Sequence, residues 1–230
     1  MKLFKTLSFL VLLPLSLWGD VIPDYSFIQR RSRKVPNANL SFEKIILEER
    51  QGKFHVRVEF FFVGDFNNIS QIAFPETEWY KLNNLNFHIN GYTLIPSRKS
   101  SGSGFFQLNN GRYTAYYYSK IKNIKAKRNR LVVTYNFQPS IYDTKGTGHE
   151  FLYAEYILKT GASWKGNIGV AQAEIRLDRY NCKDLLFLSD SYRGKCSNVK
   201  LWQMKLVNFE PDRDIRFLLP NKGESSLHRH

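Results

Sequence analysis

From Phe54 to Phe60 every second residue is apolar (Phe54, Val56, Val58, Phe60), and His55, Arg57 and Glu59 fill the positions between. A period of two sends the two sets to opposite faces of a pleated strand, so this segment reads as a strand with one buried and one wet face. The pattern recurs at Leu131, Val133, Tyr135 and Phe137, and extended runs follow over 151–158, 168–177 and 201–209. Leu85, Phe87 and Ile89 lead through Asn90-Gly91 into Tyr92 and Leu94, the strongest short hairpin signal a sequence offers. No long segment after Asp20 carries a helical stripe, and a load of 18 Phe, 13 Tyr and 4 Trp favours strands. The expectation is an all-β antiparallel sandwich over 40–218. Either it is one domain, or it divides near position 140 into two small packed sandwich-like subdomains.

The N-terminus has a different texture. Lys2 and Lys5 precede an apolar run over 7–18, and Gly19 stands before the acidic Asp20. This is the layout of a secretory signal peptide over 1–19, too short to span a bilayer, for which about 20 apolar residues are needed. Residues 20–39 follow as a basic extended lead-in containing Arg30, Arg31, Arg33 and Lys34, and 219–230 reads as a flexible tail. No later stretch reads as a transmembrane segment, so the mature chain is expected in the periplasm or outside the cell. Export exposes the two cysteines, Cys182 and Cys196, to an oxidising compartment, and their spacing across a polar, turn-rich segment reads as a structural disulfide. A redox pair would want a Cys-x-x-Cys spacing, which is absent.

Lys and Arg number 34 against 20 Asp and Glu, a net charge of +14. Six cations crowd one short segment: Lys120, Lys122, Lys125, Lys127, Arg128 and Arg130. With the preceding Tyr113, Tyr116, Tyr117 and Tyr118 they have the composition of a nucleic-acid surface, where cations meet phosphate and rings stack on bases. An exported protein meets little nucleic acid, so none is expected as a partner. Anionic glycan, lipid headgroups or another envelope protein are the accessible partners. The plainer reading is that the lysines keep a strand connection soluble and blunt a sheet edge.

Signs of catalysis are sparse. His149-Glu150 is the one place where a base adjoins a carboxylate in a loop, after Lys145-Gly146-Thr147-Gly148. A phosphate-binding loop needs Gly-x-x-x-x-Gly-Lys-Ser/Thr between a strand and a helix, and that spacing is missing. No Gly-x-Ser-x-Gly elbow, Cys-x-x-Cys or His-Glu-x-x-His appears, and His55 and His88 fall on polar strand faces; neither a metal site nor a cofactor is expected. The reading is a non-enzymatic exported binding or structural protein of the envelope. The alternative is an envelope hydrolase with a site near His149 and Glu150.

Thr160-Gly161-Ala162-Ser163-Trp164-Lys165-Gly166-Asn167-Ile168-Gly169 resembles a motif in a family of exported bacterial proteins of unknown function. The 87–94 hairpin, Tyr135, Trp202 and Asn208-Phe209-Glu210-Pro211 are also similar to that family. The resemblance implies an exported β-rich domain and brings no activity. Trp164 suits a cap on the sandwich core; exposed, Trp164 and Lys165 would form a stacking and charge pair for a sugar or anionic ligand.

Overall fold

In a computed structural model the described residues are 22–23, 38–64, 71–100, 106–108, 111–121, 127–143, 150–158, 166–189 and 191–221. The signal-peptide reading, most of the lead-in and tail, and the site candidates Lys122, Lys125, His149, Trp164 and Lys165 lie outside them. The first strand is β1 (Ile22–Pro23), and β2 (Ala38–Arg50) and β3 (Lys53–Gly64) form a long hairpin. β4 (Gln71–Thr77), β5 (Asn83–Ile89), β6 (Tyr92–Leu94) and β7 (Ser97–Ser100) follow, then β8 (Phe106–Leu108), β9 (Gly111–Lys120) and β10 (Arg128–Phe137). The rest of the chain supplies β11 (Ser140–Asp143), β12 (Glu150–Tyr156), β13 (Ile168–Arg176), β14 (Leu186–Phe187), β15 (Lys195–Asn198), β16 (Leu201–Phe209) and β17 (Ile215–Pro220). A single 3-10 turn, Cys182–Asp184, is the only helical element among the described residues.

Eight strands form one sheet in the order β15-β16-β13-β2-β3-β10-β5-β6. Two smaller sheets, β1-β4-β9-β7 with β8 also on β9, and β11-β12-β17-β14, face its inner side. Ring contacts mark the interface: Phe74 meets Tyr135 at 5.3 Å, Phe54 meets Phe217 at 5.7 Å, and Phe187 stacks on Trp202 at 4.8 Å. The fold is therefore all-β and sandwich-like, with packed sheets and no barrel. Every pairing among the described residues is antiparallel except β13 on β2, which runs parallel.

The alternation seen in the sequence is realised in β3: Phe54, Val56, Val58, Phe60 and Phe62 are all buried, while Lys53, His55, Arg57 and Val63 are exposed. In β2 the period breaks, because a bulge between Leu40 and Phe42 inserts Ser41, whose hydroxyl donates to the Phe61 carbonyl at 2.8 Å. Leu40 and Glu43 consequently point inward and Phe42 is turned to the outer face. The Asn90-Gly91 hairpin is as expected, with φ of 49° and 88° at its two turn residues. A second two-residue turn, Gln51-Gly52 with φ of 50° and 80°, joins β2 to β3.

One expectation changes meaning. The basic 120–130 segment does not join two paired strands: β9 belongs to the five-stranded sheet and β10 to the eight-stranded one, so it is a crossover between layers. A buried polar network ties β12 to β17. Arg216 donates from Nε to Glu155 at 2.6 Å and from Nη2 to Asp214 at 3.1 Å, and Asp214 also accepts the Leu158 N–H at 3.0 Å. Burial, and beyond it the neighbouring Asp214 charge, push the Glu155 pKa up despite Arg216.

Candidate functional site

The outer face of the eight-stranded sheet is hollowed at the end where β2 turns into β3. Gly52 is required there, since its φ is +80° and a Cβ would meet the Arg179 guanidinium at 2.5 Å. The carboxylate of Glu49, 1% exposed, accepts the N–H groups of Gly52 (2.8 Å), Asp178 (3.1 Å) and Arg179 (2.9 Å) and the Arg179 Nε (2.9 Å). Burial pushes its pKa up, but these donors outweigh burial and hold it below the ordinary value of 4.5. One carboxylate thus ties the β2–β3 turn to the chain leaving β13.

The other wall is tied down as well. Cys182 and Cys196 form the expected disulfide, with Cα atoms 5.8 Å apart, joining the turn after β13 to the edge strand β15. Lys200 Nζ donates to the carbonyls of Asp178 (2.7 Å) and Tyr180 (2.8 Å). Between these walls lies an open groove of about 1000 Å³ lined by Arg50, Lys53, His55, Arg176, Asn198 and Lys200, among others. A second hollow of about 360 Å³ continues over Arg57, Asn84, Thr134 and Asn136, and shares Glu48, His55 and Arg176 with the first. Register explains the continuity: Arg176, Glu48, His55 and Asn136 stand opposite one another across β13, β2, β3 and β10.

Three acids near this trough are already engaged, whereas the Asp178 carboxylate on its wall has no partner among the described residues. Glu48 accepts from Arg50 at 2.8 Å, Glu174 from Arg176 at 2.5 Å, and Glu49 is enclosed as described. Lys53 and His55 are exposed in the groove and make no hydrogen bond or ion pair with a described residue. The arrangement offers two unengaged donors, the Lys53 ammonium and the His55 ring, beside a single unengaged carboxylate and no pair of them, which suits holding an anion.

The residues singled out in the sequence sit elsewhere. Lys120 ends β9, and Lys127 and Arg128 stand exposed where β10 begins, opposite Val63 and so at the far end of β3 from Lys53. Arg130 is engaged: it binds Glu59 through Nε (3.1 Å) and Nη2 (2.6 Å) and lies over the Phe61 ring at 5.8 Å. Burial raises the Glu59 pKa, and the hydrogen bonds from Arg130 and Arg57 more than reverse that and lower it. Glu150, exposed at the start of β12, accepts from the Asn221 side chain at 2.9 Å, an end-of-sheet tie to the residue after β17; Asp143 is its cross-strand neighbour. His88 shares a hydrogen bond with Thr93 at 3.1 Å. Sequence reasoning missed Glu49, Lys53, Arg176 and Lys200. The one local signal was Gly52, closing a short turn between two long extended runs.

No family model matches the sequence, and no curated protein matches it. Among solved structures, a Legionella pneumophila protein with a suggested nutrient-binding role superimposes with a TM-score of 0.60 at 16% identity, over 88% of this chain and 70% of that one. The LTA4 hydrolase of yeast gives 0.43 at 11% identity, over 86% of this chain and 32% of the hydrolase. An M1 zinc metallopeptidase of Deinococcus radiodurans gives 0.40 at 8% identity, over 80% and 43%. The first likeness is one of fold.

Proposed function

We propose that the chain is an exported, non-enzymatic binding module of the cell envelope that holds a carboxylate-bearing glycan in the trough across β13, β2, β3 and β10. The observation that carries this reading is the pair of confluent hollows at Glu48, His55 and Arg176, where Lys53 and His55 are unengaged while Glu48 and Glu49 are held by an arginine or by backbone N–H groups, leaving Asp178 as the one lining carboxylate without a described partner. An elongated polar trough on a sheet face suits a chain of sugars, and its fixed walls limit the ordering cost of binding. The disulfide agrees with an oxidising compartment. The suggested nutrient-binding role of the Legionella protein points the same way.

The test is retention of the purified mature chain on immobilised polygalacturonate compared with neutral dextran. Retention should be specific to the acidic polymer, weaken with salt, and be lost in Lys53→Gln/His55→Gln. Equal retention on both polymers, or no effect of the double variant, overturns the assignment. A hydrolase reading would instead need Glu150 and His149 to act together, and loss of a depolymerising activity in Glu150→Gln would support it.

A further inference from the structure

The opposite end of the same sheet face has a different chemistry. Val207, Val170, Phe42 and Phe61 stand in register across β16, β13, β2 and β3, and Arg130 continues the row on β10. Four strand spacings make this row about 19 Å long. The Phe42 and Phe61 rings meet edge to face at 5.7 Å. Val63, on the same face of β3, widens the row; Val63 is 46% and Val207 62% exposed. Single exposed apolar residues are ordinary, whereas a contiguous row in register marks a surface that something covers.

Cations surround the row. Arg128 stands opposite Val63 with Lys127 beside it, Arg130 lies over Phe61, and Lys44 and Lys205 sit one pleat away from Phe42 and Val207. The strand acids next to the row are engaged: Glu59 is held by Arg57 and Arg130, and Glu174 by Arg176 with Lys44 at 3.8 Å. Lys127, Arg128 and Lys205 make no such contact with a described residue, so this end presents apolar side chains within an excess of positive charge.

We propose that this end of the sheet docks onto the surface of an anionic lipid bilayer. The exposed valines and the phenylalanine pair enter the headgroup boundary, where leaving water is favourable, while Lys127, Arg128 and Lys205 meet lipid phosphates. Either contribution alone gives marginal binding, and the two together give a two-signal contact. A glycan would satisfy the cations but offers no apolar depth for Val63 and Val207. The inference is independent of the trough's unengaged donors, Lys53 and His55, which lie toward the other end of β3, Lys53 roughly 30 Å from Val63 along a strand of that length.

Cosedimentation of the mature chain with vesicles tests it. Binding is expected to phosphatidylcholine vesicles containing phosphatidylglycerol and not to phosphatidylcholine alone. Val63→Asp/Val207→Asp should lower partitioning about tenfold or more. Lys127→Gln/Arg128→Gln should also lower it, by about 25-fold, and flatten its salt dependence, each cation near an anionic leaflet contributing about fivefold. All four positions are exposed, so thermal melting should be unchanged and serves as the control. Lys53→Gln/His55→Gln should leave vesicle binding intact. Absence of binding to the phosphatidylglycerol vesicles, or binding untouched by the valine variant, overturns the proposal.

Discussion

The two ends of the eight-stranded sheet share strands, pleat and hand, yet differ in what holds them. At the Lys53 end a buried carboxylate, a disulfide and a lysine clamp fix two walls around an open trough. At the Val63 end the outer surface is a flat row of apolar side chains among cations, with the surface fork of Arg57 and Arg130 on Glu59 as its main polar tie. The contrast shows that hollowing a sheet face takes rigid ties between its turns, whereas a flat face takes only register. It also separates two demands that net charge alone had merged: holding an anion in a groove and meeting a charged plane.

The sharpest way to break the contrast is Glu49→Gln, because it withdraws a buried charge from three backbone N–H groups and Arg179. A loss of about 3 kcal/mol in urea unfolding is expected, at the low end for a broken buried pair because Arg179 is partly exposed. Retention on polygalacturonate should fall and vesicle binding should not. A loss below about 1 kcal/mol would mean that Glu49 does not anchor the trough. Next comes Cys182→Ser/Cys196→Ser, which opens a loop of 14 residues' separation and should cost about 3 kcal/mol or slightly less. Asn198 and Lys200 should then loosen, so polygalacturonate retention weakens while the Val63 end keeps its lipid contact; equal weakening at both ends would show that the ends are coupled.

Acid titration sharpens the comparison further. A carboxylate whose folded pKa lies below its unfolded value takes up its proton more readily when unfolded. Glu49 and Glu59 therefore contribute stability that is complete above about pH 4.5 and drains away as pH falls below it. Glu155 runs the other way, since its raised folded pKa makes its charge a cost at neutral pH that acid removes. Glu49→Gln should thus flatten the decline in stability on acidification, and Glu155→Gln should steepen it; identical slopes would contradict the assigned directions. The smallest effect belongs to Arg130→Gln, which leaves Glu59 to Arg57 and should cost at most about 1 kcal/mol, as exposed pairs do.

Much of the strand layout was legible because burial on one face imposes a period of two, and β3 and β10 obey it along most of their length. The Asn90-Gly91 turn was readable from local chemistry, since both residues tolerate positive φ. Gln51-Gly52 was not, because glutamine is seldom placed in the left-handed region and only the closure of the hairpin, with Arg179 packed over Gly52, puts it there. The 120–130 cations were conspicuous in sequence, but alternation along a chain says nothing about which sheet a strand joins, and β9 and β10 joined different ones.

What the amino-acid sequence determined by itself was the element type, the inward set of β3 and β10, and the disulfide pairing, all consequences of short-range periodicity or of there being only two cysteines. Tertiary structure alone decided the trough and the apolar row. Both consist of residues far apart in the chain, such as His55 with Arg176 or Phe61 with Val207, which come into one cross-strand row only when β13 pairs in parallel with β2 and the bulge at Ser41 turns Phe42 outward. Cross-strand register is set by the burial of many side chains at once, and no local pattern encodes it.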